Sequence, residues 1–169
     1  MKKFNLAILD RDGVLNKSNI NNGYIGYIKD FYWISGAKKA IKFLNKKNYK
    51  VVIVSNQSGI ARNYFKYKDV VMLHNFIKKD LKKIDARIDR IFFCPHHKNG
   101  VVKKYKINCK CRKPKNYFFK KIKKIWNIDK RNSFMIGDQK TDMQFAKKSG
   151  IKGLFFNEKN LYKFVKKNL

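Results

Sequence analysis

Asp10 and Asp12 stand one residue apart in Asp-Arg-Asp-Gly, directly after the apolar run Leu6-Ala-Ile-Leu9. A buried strand that ends in Asp presents that side chain at its carboxyl end, where open α/β sheets place their ligand crevices. Alternation along an extended chain points both carboxylates the same way, with Gly13 available to turn the chain behind them. One carboxylate can then attack an electrophile or bind a cation while the other transfers a proton.

Two further strand-end segments carry complementary chemistry. Ser55-Asn56-Gln57-Ser58-Gly59 offers a hydroxyl and successive backbone amides, which suit the oxygens of a phosphoryl group. Gly137-Asp138-Gln139-Lys140-Thr141-Asp142 brings more carboxylates to the same edge. Asp138 and Asp10, with a backbone carbonyl and waters, would make a hard oxygen shell for Mg²⁺. Asp142 could join them or simply start a helix, where the macrodipole favours a carboxylate. The chain holds only 11 acidic residues, so their gathering at strand ends indicates a site.

The soft ligands are equally concentrated. All three cysteines lie in Cys94-Pro95-His96-His97 and Cys109-Lys110-Cys111. These pairs suit a tetrahedral Cys₃His zinc site. The odd cysteine count fits poorly with a disulfide framework. His96 mirrors the one-residue spacing of the cysteine pair, and His97 is the alternative fourth ligand. Four protein ligands leave no open position, so the metal would fix the loop over 94–111. That loop delivers Arg112 and Lys113, which read as an anion clamp beside the acidic pocket.

These residues need a scaffold that lines up strand ends. Five apolar, β-prone runs (5–10, 50–55, 90–93, 133–137 and 152–156) alternate with helical patterns over 36–47, 68–84, 116–126 and from about 141 to before Gly150. Ala37, Ala40, Ile41 and Leu44, and then Val70, Leu73, Ile77, Leu81 and Ile84, recur at helical spacing. A last short helix is expected in the tail from 160. The alternation predicts an α/β protein with a doubly wound parallel sheet. The length suits a single domain over 1–169. Segments 16–31 and 94–115 leave strand ends and are too short for a separate cap domain.

The net charge of +31, from 42 Lys and Arg, invites a nucleic-acid reading. Lysine dominates, however, and recurs on the polar faces of the expected helices rather than in an Arg-containing stripe. Nucleic acid is therefore not the expected partner, although the field would attract an anionic substrate. No apolar run is long enough to cross a membrane, and the N-terminus lacks the pattern of a signal peptide. A cytoplasmic monomer acting on a small molecule, without an obligate protein partner, is expected.

Together, Asp10-Arg11-Asp12-Gly13, Ser55, Lys113 and Gly137-Asp138 with Asp142 resemble the four motifs of the haloacid dehalogenase (HAD) superfamily of phosphohydrolases. The resemblance runs from Asp10 to about Gly150 and implies a Rossmann-like HAD fold. Within it, Ser-Asn-Gln-Ser-Gly-Ile-Ala-Arg, Cys-Arg-Lys-Pro and the long zinc loop are similar to heptose 1,7-bisphosphate 7-phosphatases. The histidinol-phosphate phosphatase domain, with a shorter loop, is a close relative and the alternative. A nucleic-acid 3′-phosphatase is more distant.

The resemblance implies a Mg²⁺-dependent sugar-phosphate phosphatase, serving lipopolysaccharide precursor synthesis through an aspartyl-phosphate on Asp10. It implies Mg²⁺ ligation by Asp10, the Asp12 carbonyl and Asp138, acid–base work by Asp12, and phosphoryl contacts from Ser55 and Lys113. Arg112, Asn56, Gln57, Ser58 and the loop at Asn22, Gly23 and Tyr24 would recognise the rest of the substrate. Zn²⁺ would be held by Cys94, His96, Cys109 and Cys111. Gln139 departs from the pattern, standing where relatives often carry Lys.

Overall fold

The computed structural model describes residues 2–169. Five parallel strands form one sheet: β1 (Leu6–Leu9), β2 (Lys50–Asn56), β3 (Arg90–Cys94), β4 (Phe134–Gly137) and β5 (Lys152–Phe155), in the order β3-β2-β1-β4-β5. The chain winds outward from β1 in one direction, then returns to β1 and winds outward in the other. That reversal puts β1 and β4 side by side at the switch point, with the ends of both facing one crevice.

The helices α1 (Ala37–Lys46), α2 (Tyr67–Lys82), α3 (Tyr117–Ile125), α4 (Lys140–Ser149) and α5 (Leu161–Asn168) cover both faces. Ala7, Leu9, Val51, Ile53 and Ile136 pack against α1, α2 and α5 through Ile41, Leu44, Leu73, Ile77, Phe164 and Val165. The alternate residues Leu6, Ile8, Val52, Val54 and Met135 pack against α3 and α4 through Phe119, Ile122, Phe145 and Ala146. Burial on both faces explains why β1 and β4 read as unbroken apolar runs instead of alternating ones.

Element ends differ from the sequence expectation in ways that have local causes. β2 and β3 each run one residue further, because Asn56 pairs with Cys94 in the ladder. β4 starts at Phe134 rather than at Ser133, whose hydroxyl instead accepts the Leu6 N–H at 2.9 Å and braces β1. α2 ends at Lys82, just before Asp85 adopts a positive φ of 52°. Segment 16–31, expected as a loop, carries two 3₁₀ turns, Asn21–Gly23 and Ile28–Asp30, and the second insertion carries one at Lys103–Tyr105. No helix is long and apolar enough to cross a membrane among the described residues.

Candidate active site

A cavity of about 410 Å³ opens at the carboxyl ends of β1, β2 and β4. Its lining includes Asp10, Asp12, Ser55, Asn56, Arg112, Lys113 and Asp138, brought from four separate stretches of chain. β1 delivers Asp10, whose N–H continues the ladder by donating to the Ile136 carbonyl at 2.9 Å. Gly13 then turns the chain at φ +85°, and a Cβ there would fall 2.0 Å from Oδ2 of Asp138. Only glycine lets the first acidic loop lie against the second.

Lys113 is buried at the centre. Its ammonium lies 2.9 Å from Asp10 Oδ1 and 2.6 Å from Asp142 Oδ1, and donates to the Val54 carbonyl at 2.8 Å. Burial opposes the charge on Lys113, but Asp10 and Asp142 outweigh it and hold its pKa above the ordinary value. Burial pushes the Asp10 carboxyl up to about 6, against the pull of Lys113. Burial, followed by the neighbouring Asp10, also raises Asp138.

Oxygens of Asp10, Asp138 and Asp142 lie within 4.8 Å of one another, and Oδ1 of Asp138 is buried without a hydrogen-bond partner. A buried, unpaired carboxylate oxygen among other carboxylates is costly alone and fits a hard divalent cation such as Mg²⁺. Asp142 also caps α4, its Oδ2 accepting the Gln139 N–H at 3.1 Å. It therefore starts the helix and neutralises Lys113 at once, joining two possibilities that the residues alone left separate.

In the second insertion, ligand atoms of Cys94, His96, Cys109 and Cys111 lie within 4.8 Å of one another. The three sulfurs are 3.1 to 3.4 Å apart, too far for a disulfide and convergent enough for tetrahedral ligation of a soft cation. Hydrogen bonding with Cys94 draws the Cys111 thiol down to about 5, toward the thiolate that such a cation needs. Of the two histidines, His96 turns Nδ1 into this group. His97 turns away, accepting the Asn99 N–H at 3.1 Å and facing Arg62. Directly after Cys111 the chain enters the cavity with Arg112 and Lys113.

Four of the residues expected to touch substrate do not line this cavity. Positive φ angles at Asn21 and Asn22 turn the first loop, so Gly23 reaches the cavity while Asn22 and Tyr24 line a neighbouring one of about 470 Å³. Gln57 is buried behind the site, where its amide donates to Asp12 Oδ2 at 2.8 Å and Ser55 Oγ at 2.7 Å. Ser58 is buried in the following turn, where its carbonyl accepts the Arg62 N–H. Asn56 does line the cavity, but its amide also clamps the Lys113 backbone in both directions, at 3.0 and 3.3 Å. Ser18 joins the lining unannounced by any motif, and Thr141 joins it from the segment that also carries Asp138.

A family model for HAD-hydrolase-like proteins matches residues 110–158. The chain is 40% identical over 163 residues to the D-glycero-beta-D-manno-heptose-1,7-bisphosphate 7-phosphatase of Rhodopseudomonas palustris, covering 96% of this chain and 89% of that protein. It is 35% identical over 153 residues to the D-glycero-alpha-D-manno-heptose-1,7-bisphosphate 7-phosphatase of Photorhabdus laumondii, covering 90% and 82%. Among solved structures, D,D-heptose 1,7-bisphosphate phosphatase from B. bronchiseptica, complexed with magnesium and phosphate, superposes with a TM-score of 0.80. That pair is 28% identical, covering 97% of this chain and 87% of that one.

Proposed function

Because the chain belongs to the heptose-1,7-bisphosphate 7-phosphatase family of HAD-like hydrolases, we propose a specific division of labour among its pocket residues. The protein is a Mg²⁺-dependent phosphatase that removes the C7 phosphate of heptose 1,7-bisphosphate, leaving heptose 1-phosphate for lipopolysaccharide precursor synthesis.

Asp10 is the nucleophile. Its carboxylate attacks phosphorus, the bond to the C7 oxygen breaks, and an aspartyl-phosphate remains. Asp12 gives its proton to the departing sugar oxygen, then takes one from the water that cleaves the acyl phosphate. Lys113 and Ser55 hold the phosphoryl oxygens as charge shifts among them. Arg112, at the rim, receives the sugar and its remaining phosphate.

Mg²⁺ held by Asp10 and Asp138, with the Asp12 carbonyl, would offset charge on the transferring group and favour the ionised form of a buried Asp10. Zn²⁺ held by Cys94, His96, Cys109 and Cys111 would fix the loop that presents Arg112 and Lys113. The observation that carries this reading is the buried contact of Lys113 with Asp10 beside an unpaired Asp138 oxygen.

Phosphate release from both anomers of heptose 1,7-bisphosphate and from histidinol phosphate, each with Mg²⁺, tests the reading. Clear preference for a heptose bisphosphate is expected, and faster turnover of histidinol phosphate would overturn it.

A further inference from the structure

The residue between the two catalytic carboxylates is the largest fully buried side chain among the described residues. Neighbours along a strand point to opposite faces, so Arg11 would be expected to lie behind the site and take no part in it. Instead its guanidinium folds back onto Asp12. Nε and Nη2 donate to Asp12 Oδ1 at 3.0 and 2.9 Å, and Nη2 also reaches Oδ2 at 3.0 Å. Nη2 further donates to Gln57 Oε1 at 2.9 Å and to the Ile25 carbonyl. Nη1 donates to Nε2 of His74 at 3.2 Å.

His74 comes from α2 and is itself buried. Burial, then the charges of Arg11 and Lys78, push its pKa down to about 2, so the imidazole stays neutral and free to accept. Asp12 receives two more donors, Asn16 Nδ2 at 2.9 Å on Oδ1 and Gln57 Nε2 at 2.8 Å on Oδ2. The backbone N–H of Arg11 meanwhile donates to Asp10 Oδ1 at 2.8 Å. One residue thus holds both carboxylates, one through its main chain and the other through its side chain.

Taking a guanidinium out of water is expensive, and an apolar side chain would fill the same space at lower cost. What an apolar side chain cannot do is fix a carboxylate in a fork of charge-assisted hydrogen bonds. The Asp12 side chain is 17% exposed, toward the cavity, while Arg11 is sealed behind it. We propose that Arg11 is the positioning residue for Asp12: seated on His74 and braced through Gln57 to Ser55, it holds the acid–base carboxylate in one orientation and stabilises it as the anion left after proton donation. This rests on the assignment of Asp12 as the proton carrier. Arg11 is the cation in contact with Asp12; the other charged groups lining the cavity are Asp10, Arg112, Lys113, Asp138 and Asp142.

The test compares two phosphomonoesters with Mg²⁺ and intact zinc content. A sugar alkoxide needs a proton to leave, whereas p-nitrophenolate departs without one. Arg11→Gln is expected to lower kcat/KM on the heptose bisphosphate by about a hundredfold, the scale of acid–base catalysis, and on p-nitrophenyl phosphate by less than about tenfold. Arg11→Lys, which keeps the charge without the fork, should recover only part of the rate on the sugar phosphate.

Equal losses on both substrates would mean a packing role and overturn the proposal. If Arg11→Gln does not fold, His74→Leu, which leaves Arg11 Nη1 without its acceptor, should show the same substrate-selective loss at about three- to tenfold. An unchanged ratio would overturn the proposal as well. Asp12→Asn separates the two ideas: selective loss there without it in the Arg11 and His74 variants sinks the Arg11 proposal alone. No selectivity in Asp12→Asn sinks the proton-carrier assignment on which it stands.

Discussion

The ammonium of Lys113 lies 2.6 Å from Oδ1 of Asp142, and both side chains are sealed from solvent. Asp142 sits in the first turn of α4, so the helix start and the buried lysine are a single mechanical unit. Asp142→Asn would keep an acceptor for the Gln139 N–H but leave Asp10 as the one carboxylate on Lys113, beside the Val54 carbonyl. Turnover is expected to fall about a hundredfold, the cost of a small misplacement in a preorganised site. Stability should fall by about 3 kcal/mol or less, because Lys113 keeps one counter-ion. Steady-state kinetics and thermal unfolding on the same preparation check both, and wild-type kcat in the variant would refute the pairing's role.

Asp10 is expected to be an activity–stability compromise. Burial makes its ionised form unfavourable despite Lys113, which is why its pKa rises to about 6. A neutral Asn at this position should abolish phosphate release yet raise the melting temperature of protein without added Mg²⁺ near pH 8. Added Mg²⁺ should raise the melting temperature of the native protein and leave Asp10→Asn nearly unmoved, since a cation can offset only a charge that is present. Equal Mg²⁺ responses in the two proteins would count against Asp10 as a ligand.

His74 supplies a pH dependence whose sign is fixed. Its pKa falls from 6.5 when exposed to about 2 when folded, so between those values the unfolded chain binds the extra proton. Stability is therefore complete above about pH 6.5 and declines as pH falls through the window below it. At pH 5.5 the His74 contribution to the loss is about 1.4 kcal/mol. His74→Gln keeps an acceptor for Arg11 without titrating, and its denaturant midpoint should fall less between pH 7.5 and 5.5 than that of the native protein. Parallel slopes would refute this.

The carboxylates and thiols were legible in the sequence because their signals are local. Asp10 and Asp138 close apolar runs whose burial on two faces is written in composition, and three cysteines among 169 residues stand out at fixed spacing. Arg11 was not legible, because strand alternation points it away from the site and its seat, His74, arrives from a helix 63 residues further on. The positions of Asn22, Tyr24 and Gln57 away from the cavity lining have related causes. Two positive-φ asparagines redirect the first loop, and Gln57 spends its amide on Arg11, Asp12 and Ser55 from behind the cavity. Side-chain direction in turns depends on partners distant in sequence, which spacing alone does not encode.

Cys109 offers a way to separate the proposed zinc loop from the chemistry proposed to depend on it. Its sulfur lies 3.3 Å from Cys94 and 3.4 Å from Cys111, so it completes the donor set. Serine is close in size but is a poor ligand for a soft cation, and Cys109→Ser is expected to lose most of its zinc by elemental analysis. Lys113 has anchors that do not depend on zinc: Asp10, Asp142, the Val54 carbonyl and the Asn56 amide all hold it. Arg112 has none of these, follows the last ligand directly, and leaves Nη1 without a partner. Loss of zinc should therefore raise KM more than it lowers kcat, by about tenfold against two- to threefold, because in the proposed division of labour the loosened Arg112 binds substrate while the held Lys113 serves the transition state. Full zinc content in the variant would remove Cys109 from the ligand set, and a loss confined to kcat would place the loop's influence on Lys113 instead.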